Sequence, residues 1–273
     1  VKHARPKSQE LVSWENNPSL FQNEIRLILR AADDIIASGG RTLLSKILKG
    51  SKEKKLLELG LEKNPSYGCF RSLTMAEIMG KIDWMIDHNF LEIQYSGKLP
   101  MIVFTERGWT IERDQYADEL LHEWDQWIAD GITDVNMEYL KDRNRGMILL
   151  FLQKIKNTGN IKYLPFLKQW EKTDYKKVRQ IVGKVIDHLE QQREINTKAM
   201  AEMKEEVTKA FEFTPNEPEI LKCWECGERF IFTVEEEKFF KLRGFVPPKR
   251  CPACREKKRL EELGVGDELE FDE

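Results

Sequence analysis

Two Cys-x-x-Cys pairs, Cys223/Cys226 and Cys251/Cys254, stand 24 residues apart in the C-terminal quarter of this 273-residue chain. Two residues between cysteines let both thiolates reach one ion at tetrahedral angles, and Gly227 permits a tight turn after the first pair. Four thiolates leave no open coordination position, so the expected group is structural zinc, with iron the alternative. Paired rather than scattered cysteines indicate a reducing compartment. Cys69, between Gly68 and Phe70, is expected to be a buried thiol without chemical role.

The second chemistry-bearing stretch is a run of cations. Residues 41–55 carry six basic groups, Arg41, Lys46, Lys49, Lys52, Lys54 and Lys55, against one acid, Glu53, although the whole chain has a net charge of −3. These charges collect where Gly50-Ser51 breaks the chain between two helical patterns, and a helix entry flanked by lysines suits phosphate. A solvated helix face is the plain alternative. Residues 143–193 hold twelve Lys/Arg against four Asp/Glu, a further basic region that either follows a DNA backbone or faces solvent. A third cluster, Lys249, Arg250, Arg255, Lys257, Lys258 and Arg259, surrounds the second cysteine pair, as a phosphate or acidic-partner contact or as a solvated edge.

Catalytic constellations are missing from the pattern. The chain has no Gly-x-x-x-x-Gly-Lys-Ser/Thr, no His-Glu-x-x-His and no Ser/His/Asp set, and Gly183-Lys184 lies within an apolar helical pattern. No enzyme is expected. Nor does any stretch approach the ~18 apolar residues of a membrane span, so the expectation is a cytoplasmic protein, nucleoid-associated when bound to DNA.

The elements that position these groups are mainly helical. A loose arm over 1–18 precedes helices predicted over 20–36, 42–48 and 52–61, the last N-capped by Ser51 and burying Leu56, Leu57 and Leu59. Thr74 and Glu77 form a capping box for a fourth helix. Strands over 90–95 and 101–105 flank a five-residue tip, 96–100, and the order of helices then hairpin predicts a winged helix. A long helix over 106–128 follows, and 137–189 is helical throughout, with Asp174 as a cap. Residues 194–220 read as helical extension and linker, 221–263 as the metal module and 264–273 as an acidic tail. The domain expectation is 1–18, 19–115, 116–193, 194–220, 221–263 and 264–273.

Residues 20–109 resemble the RQC (RecQ C-terminal) winged helix of RecQ and Werner-type helicases, most clearly in Ile47-Leu48-Lys49-Gly50-Ser51, Ser66-Tyr67-Gly68 and Phe104-Thr105-Glu106-Arg107-Gly108. The resemblance implies binding to duplex ends and branched DNA. Ser51, Lys52, Lys54 and Lys55 would hold phosphates, with Arg41, Lys46 and Lys49 in the same basic region. Lys98 and Leu99 would stand at the wing tip, and Tyr67 would support the turn. Members that unwind well place an aromatic at the tip, where this chain has Lys98, Leu99 and Pro100. With no ATPase motif, the chain resembles the stand-alone RQC-minor proteins of bacteria. The helices after residue 137 resemble a HEAT-type unit. Residues 221–263, with Phe232-Thr233, Gly244-Phe245 and Arg250-Cys251, resemble a treble-clef-like bacterial zinc domain.

Together these features predict a non-enzymatic protein that binds duplex, forked or branched DNA mainly through phosphates, in the setting of DNA repair. Two alternatives are an adaptor that docks a helicase or another repair protein, and a sequence-specific winged-helix regulator.

Overall fold

The computed structural model describes residues 20–141, 143–212 and 216–263; the predicted arm over 1–18 and acidic tail over 264–273 lie outside them. The first helix, α1 (Gln22–Asp33), buries Ile25, Ile28, Leu29 and Ala32. It is shorter than its apolar spacing predicts. The chain turns at Ala37 (φ +57°), whose N–H donates to the Ile102 carbonyl at 2.9 Å, while Ile102 N–H donates to Gly39 at 2.8 Å. Residues 37–39 therefore run beside the wing.

Helices α2 (Arg41–Lys49), α3 (Lys54–Glu58) and α4 (Met75–Asp87) complete the helical part of the module. The predicted third helix over 52–61 is reduced to five residues. Ser51 is not its cap: its hydroxyl accepts the Glu53 N–H at 3.3 Å and delays helix entry, and Gly60 (φ +69°) ends the helix early. Leu56 alone of the predicted trio is buried, with Leu57 and Leu59 exposed. The capping box on α4 forms as predicted, Thr74 Oγ1 accepting the Glu77 N–H at 3.2 Å.

Strands β1 (Leu91–Ser96) and β2 (Leu99–Phe104) pair antiparallel, Ser96 opposite Leu99, so the turn is the two residues Gly97-Lys98 rather than five. Gly97 takes φ +63°, as a two-residue hairpin turn requires. Pro100 is accommodated because proline is tolerated near the first residue of a strand. Helix α5 (Glu106–Ala129) then starts on a Thr105 cap. Gly108 is obligatory there, since a Cβ would stand 2.0 Å from the Phe90 carbonyl.

Helix α5 joins two cores. Its first half covers the winged-helix core, which includes Leu29, Leu44, Ile47, Ile82, Met85 and Ile102. Its second half gives Tyr116, Leu120 and Trp124 to another core shared with α6 (Arg145–Thr158), α7 (Leu164–Thr173) and α8 (Lys176–Gln191). Asp174 is not the N-cap of α8. It is buried, accepting the Trp170 indole N–H and the Tyr175 N–H, each at 2.6 Å, and the cap position falls on Tyr175.

Within the predicted helical extension and linker over 194–220, helix α9 (Thr197–Phe211) is docked: it packs on α5 and α6 and brings Ala210 and Phe211 to the first core. Arg107 fixes its end, donating to the carbonyls of Ala210 and Glu212 at 2.6 Å each and of His88 at 2.7 Å. The last module is a hairpin, β3 (Glu219–Lys222) and β4 (Arg229–Phe232), followed by α10 (Val234–Arg243) and α11 (Pro252–Glu262). Helix α10 packs on α4 and β1. Lys238 lies 3.1 Å from Asp87, and a Cβ on Gly244 (φ +65°) would be 2.7 Å from the Ile93 carbonyl. The fold is thus mainly α, with a winged helix, a helical middle and a four-cysteine module. No described helix is long and apolar enough to cross a membrane.

Candidate nucleic-acid interface and metal centre

The two glycine motifs meet in space. Gly50 closes α2 at φ +74°, and a Cβ there would stand 2.9 Å from the Gly68 Cα, itself at φ +72°. Gly68 N–H donates to Ile47 O and Phe70 N–H to Leu48 O, both at 2.9 Å. The Tyr67 hydroxyl donates to the Ser51 carbonyl at 2.9 Å. These bonds pin the segment between α2 and α3 against the 66–70 turn.

That pinning sorts the six cations. Arg41 pairs with Asp83 of α4 at 2.6 Å, and Lys46 pairs with Glu53 at 2.5 Å. Lys49 donates to the carbonyls of Arg71 and Leu73 at 2.8 and 2.6 Å, closing the approach to α4. Lys52, Lys54 and Lys55 remain exposed, Lys54 with Glu58 at 3.6 Å. Three of the six residues hold the module together, and three face solvent around the Ser51 turn.

Lys98 and Leu99 lie at the exposed wing tip, Leu99 being 62% accessible. The sequence reading missed Tyr95, which is 50% accessible and stands opposite Pro100. It shares the inward parity of Leu91 and Ile93 but lies past the edge of the core, a signal found by counting back from the turn. The Pro100 carbonyl lies at Gly40, ahead of the first turn of α2, and the lysines lie past its last turn. Nine residues at 1.5 Å each separate the two ends by about 13 Å.

Helix α4 is partly covered. Asp83 and Asp87 are buried, bound to Arg41 and Lys238, and α10 lies across the helix. His88 is stacked on Trp84 with centroids 3.8 Å apart. Cys69 is exposed rather than buried as predicted, although partial desolvation still pushes its thiol up to about 11.

The four cysteines converge. The first pair occupies the turn between β3 and β4, with Gly227 at φ +76° donating its N–H to Cys223 O at 3.1 Å. The second stands at the start of α11, where Cys251 Sγ accepts the Cys254 N–H at 3.5 Å. All four sulfurs lie within 4.8 Å of one another. Zn–S bonds of about 2.3 Å in a tetrahedron require S···S edges of about 3.8 Å, and Cys226 and Cys251 stand 3.8 Å apart. The backbone N–H groups of Cys226 and Cys251 lower the Cys223 thiol to about 6, whereas hydrogen bonding with the Cys251 side chain, with desolvation, pushes Cys254 up to about 12. The donor set therefore fits a cation that takes thiolates. Much of the surrounding basic cluster is internally neutralised: Arg250 with Glu225 at 2.6 Å, Arg255 with Glu236 at 3.2 Å and Arg259 with Glu256 at 2.6 Å.

Comparison with known proteins agrees with this layout. Residues 21–118 match the family model described as "RQC domain", and residues 219–262 match that described as "Probable treble clef domain". An ATP-dependent DNA helicase RecQ of Bacillus subtilis (strain 168) is 30% identical over 69 residues, which is 25% of this chain and 12% of the helicase. No solved structure matches the chain. Both matched domains are non-catalytic binding modules, and the four cysteines form the zinc site of the second.

Proposed function

We propose, for a chain that carries an RQC domain and a treble-clef zinc domain, a non-enzymatic role in binding duplex or branched DNA through the phosphate backbone. The observation that carries this reading is the separation of the six cations into structural and solvent-exposed groups. Arg41 ties α2 to α4, Lys46 and Lys49 brace the turn after α2, and Lys52, Lys54 and Lys55 meet the DNA, with Lys98 a fourth contact at the wing. The wing strand at Pro100 and the Ser51 turn flank opposite ends of α2, a helix about 13 Å long, so cations of both segments can meet phosphates of one duplex. Such contacts position the protein without reading bases, and the cover of α10 over α4 supports weak sequence preference. Tyr95 and Leu99 at the tip give the wing an apolar surface for the end of a duplex or the branch of a fork.

Zinc, with four thiolate ligands, supplies no chemistry beyond holding β3, β4 and α11 together, and through them α10 against the winged helix. The adaptor reading is favoured by Ile220 and Ile231, which pair across β3 and β4 and are 70% and 61% accessible, an apolar edge suited to a helicase or repair protein. Anisotropy titrations of labelled blunt duplex, fork and single strand of unrelated sequences separate these readings. Four phosphate contacts predict log K falling against log salt with a slope near −3.6 for duplex. No binding to duplex or fork by the folded, zinc-loaded protein would leave the adaptor.

A further inference from the structure

The helical middle contains a pocket of about 350 Å³ between the start of α6 and the start of α8, lined by Lys141, Arg143, Arg145, Tyr175, Lys176 and Lys177. Its lining carboxylate, Asp174, is turned inward and fully used by the Trp170 indole and the Tyr175 N–H. Among the described residues, no carboxylate forms an ion pair with Arg145, Lys176 or Lys177. This contrasts with the cations around the metal centre, which are matched with Glu225, Glu236 and Glu256, and with Lys154 in the cavity beside α9, which is held by Asp114. Arg143 is engaged by the Tyr116 ring and lies near Asp33, but among the described residues Arg145, Lys176 and Lys177 line one cavity with no carboxylate paired to them, a local excess of charge that attracts a polyanion.

An aromatic stands among them. Tyr175 is 58% accessible, and Lys141 Nζ lies 5.1 Å from its ring centroid. An exposed ring beside several cations offers a base a stacking surface and its phosphates a charge, the pairing that holds single-stranded nucleic acid. An acidic peptide would use the cations and leave the ring idle. Asn144, between Arg143 and Arg145 in sequence, lines a separate cleft with Val103 and Phe104 at the base of the hairpin and Trp109 of α5. Asp33 and Glu106 also border that cleft, so the phosphate hold belongs to the pocket itself.

We infer that this pocket is a second nucleic-acid site, taking a single strand with its phosphates on Arg145, Lys176 and Lys177 and a base on Tyr175. It rests on the DNA-binding reading above and adds to it a contact for single-stranded DNA beside the duplex contacts. The test uses the full zinc-loaded chain with labelled oligo-thymidylate and, separately, blunt duplex. Lys176→Glu with Lys177→Glu should weaken oligo-thymidylate binding tenfold or more and flatten its salt slope by about 1.4. Tyr175→Ala should weaken it about tenfold, with Tyr175→Phe restoring it. Duplex affinity should stay at the parent value in all three. Oligo-thymidylate binding indifferent to the charge reversals overturns the site, and so does equal binding by Tyr175→Ala with poly-glutamate as an equal competitor, which would mark a plain polyanion surface. Loss of all duplex binding in the parent, with the single-strand effects intact, would remove the proposed duplex function and leave this site standing.

Discussion

Glutamine in place of Glu112 isolates the least expected charge in the molecule. Glu112 lies on α5, fully buried, with neither carboxyl oxygen hydrogen-bonded among the described residues. Arg30 is 4.0 Å away and directs its Nε to Glu119 at 2.9 Å instead. Burial above all, and then the charge of Asp33, raises the Glu112 pKa well above the usual carboxylate range. Below about pH 4.3 the residue is protonated in both folded and unfolded chains. Above that, the unfolded chain releases a proton that the folded chain keeps, so stability falls by about 1.4 kcal/mol per pH unit until the raised folded pKa is reached. Glu112→Gln retains the shape of the neutral acid and lacks this loss. Asp33 and Asp83, also raised by burial, contribute to both proteins and largely cancel. Urea unfolding of parent and variant between about pH 4.5 and 7 should therefore show the variant gaining on the parent as pH rises. A difference that stays constant with pH would refute the reasoning, as would a loss of about 3–5 kcal/mol near pH 7, the signature of a broken buried ion pair.

Gly50→Ala should destabilise the winged helix by about 1–2 kcal/mol or more through its left-handed backbone alone, with the Gly68 contact adding to this; an unchanged urea midpoint would contradict that close approach. Chelating zinc should unfold residues 219–262 and also lower the melting temperature of the winged helix, because α10 packs Leu242 against its core; an unmoved winged-helix transition would mean that the modules are independent. Tyr95→Ala should leave stability within about 0.5 kcal/mol and reduce affinity for forked DNA about tenfold with blunt duplex unaffected, as measured by anisotropy; equal loss on both would remove the wing's role at branches.

What was legible in the sequence was local. The cysteine pairs, the Thr74 capping box and the Gly97-containing hairpin each depend on residues a few positions apart, and each forms, the hairpin with a turn of two residues where the sequence predicts five. The length of α3 was not legible, because the Ser51 hydroxyl competes with helix entry and Gly60 ends the helix, while leucine spacing alone continues through both. The division of the cations was hidden for a different reason. Arg41 finds Asp83, and Lys49 finds the carbonyls of Arg71 and Leu73, partners that only the tertiary fold brings near. The docking of α9 and α10 is likewise non-local: Arg107 reaches across to Ala210, and Gly244 lies against Ile93. Tyr175 was passed over because a charge count over 143–193 registers lysines and not the ring between them.

The central claim is that Lys52, Lys54 and Lys55 hold phosphates of a duplex without reading its sequence. Its most direct test is the salt dependence of binding by a triple alanine variant at these positions, measured on two blunt duplexes of unrelated sequence. The account predicts weaker binding to both and a log K against log salt slope shallower by about 2.7, each lysine contributing about 0.9. An unchanged slope, or a loss confined to one of the two sequences, would contradict it.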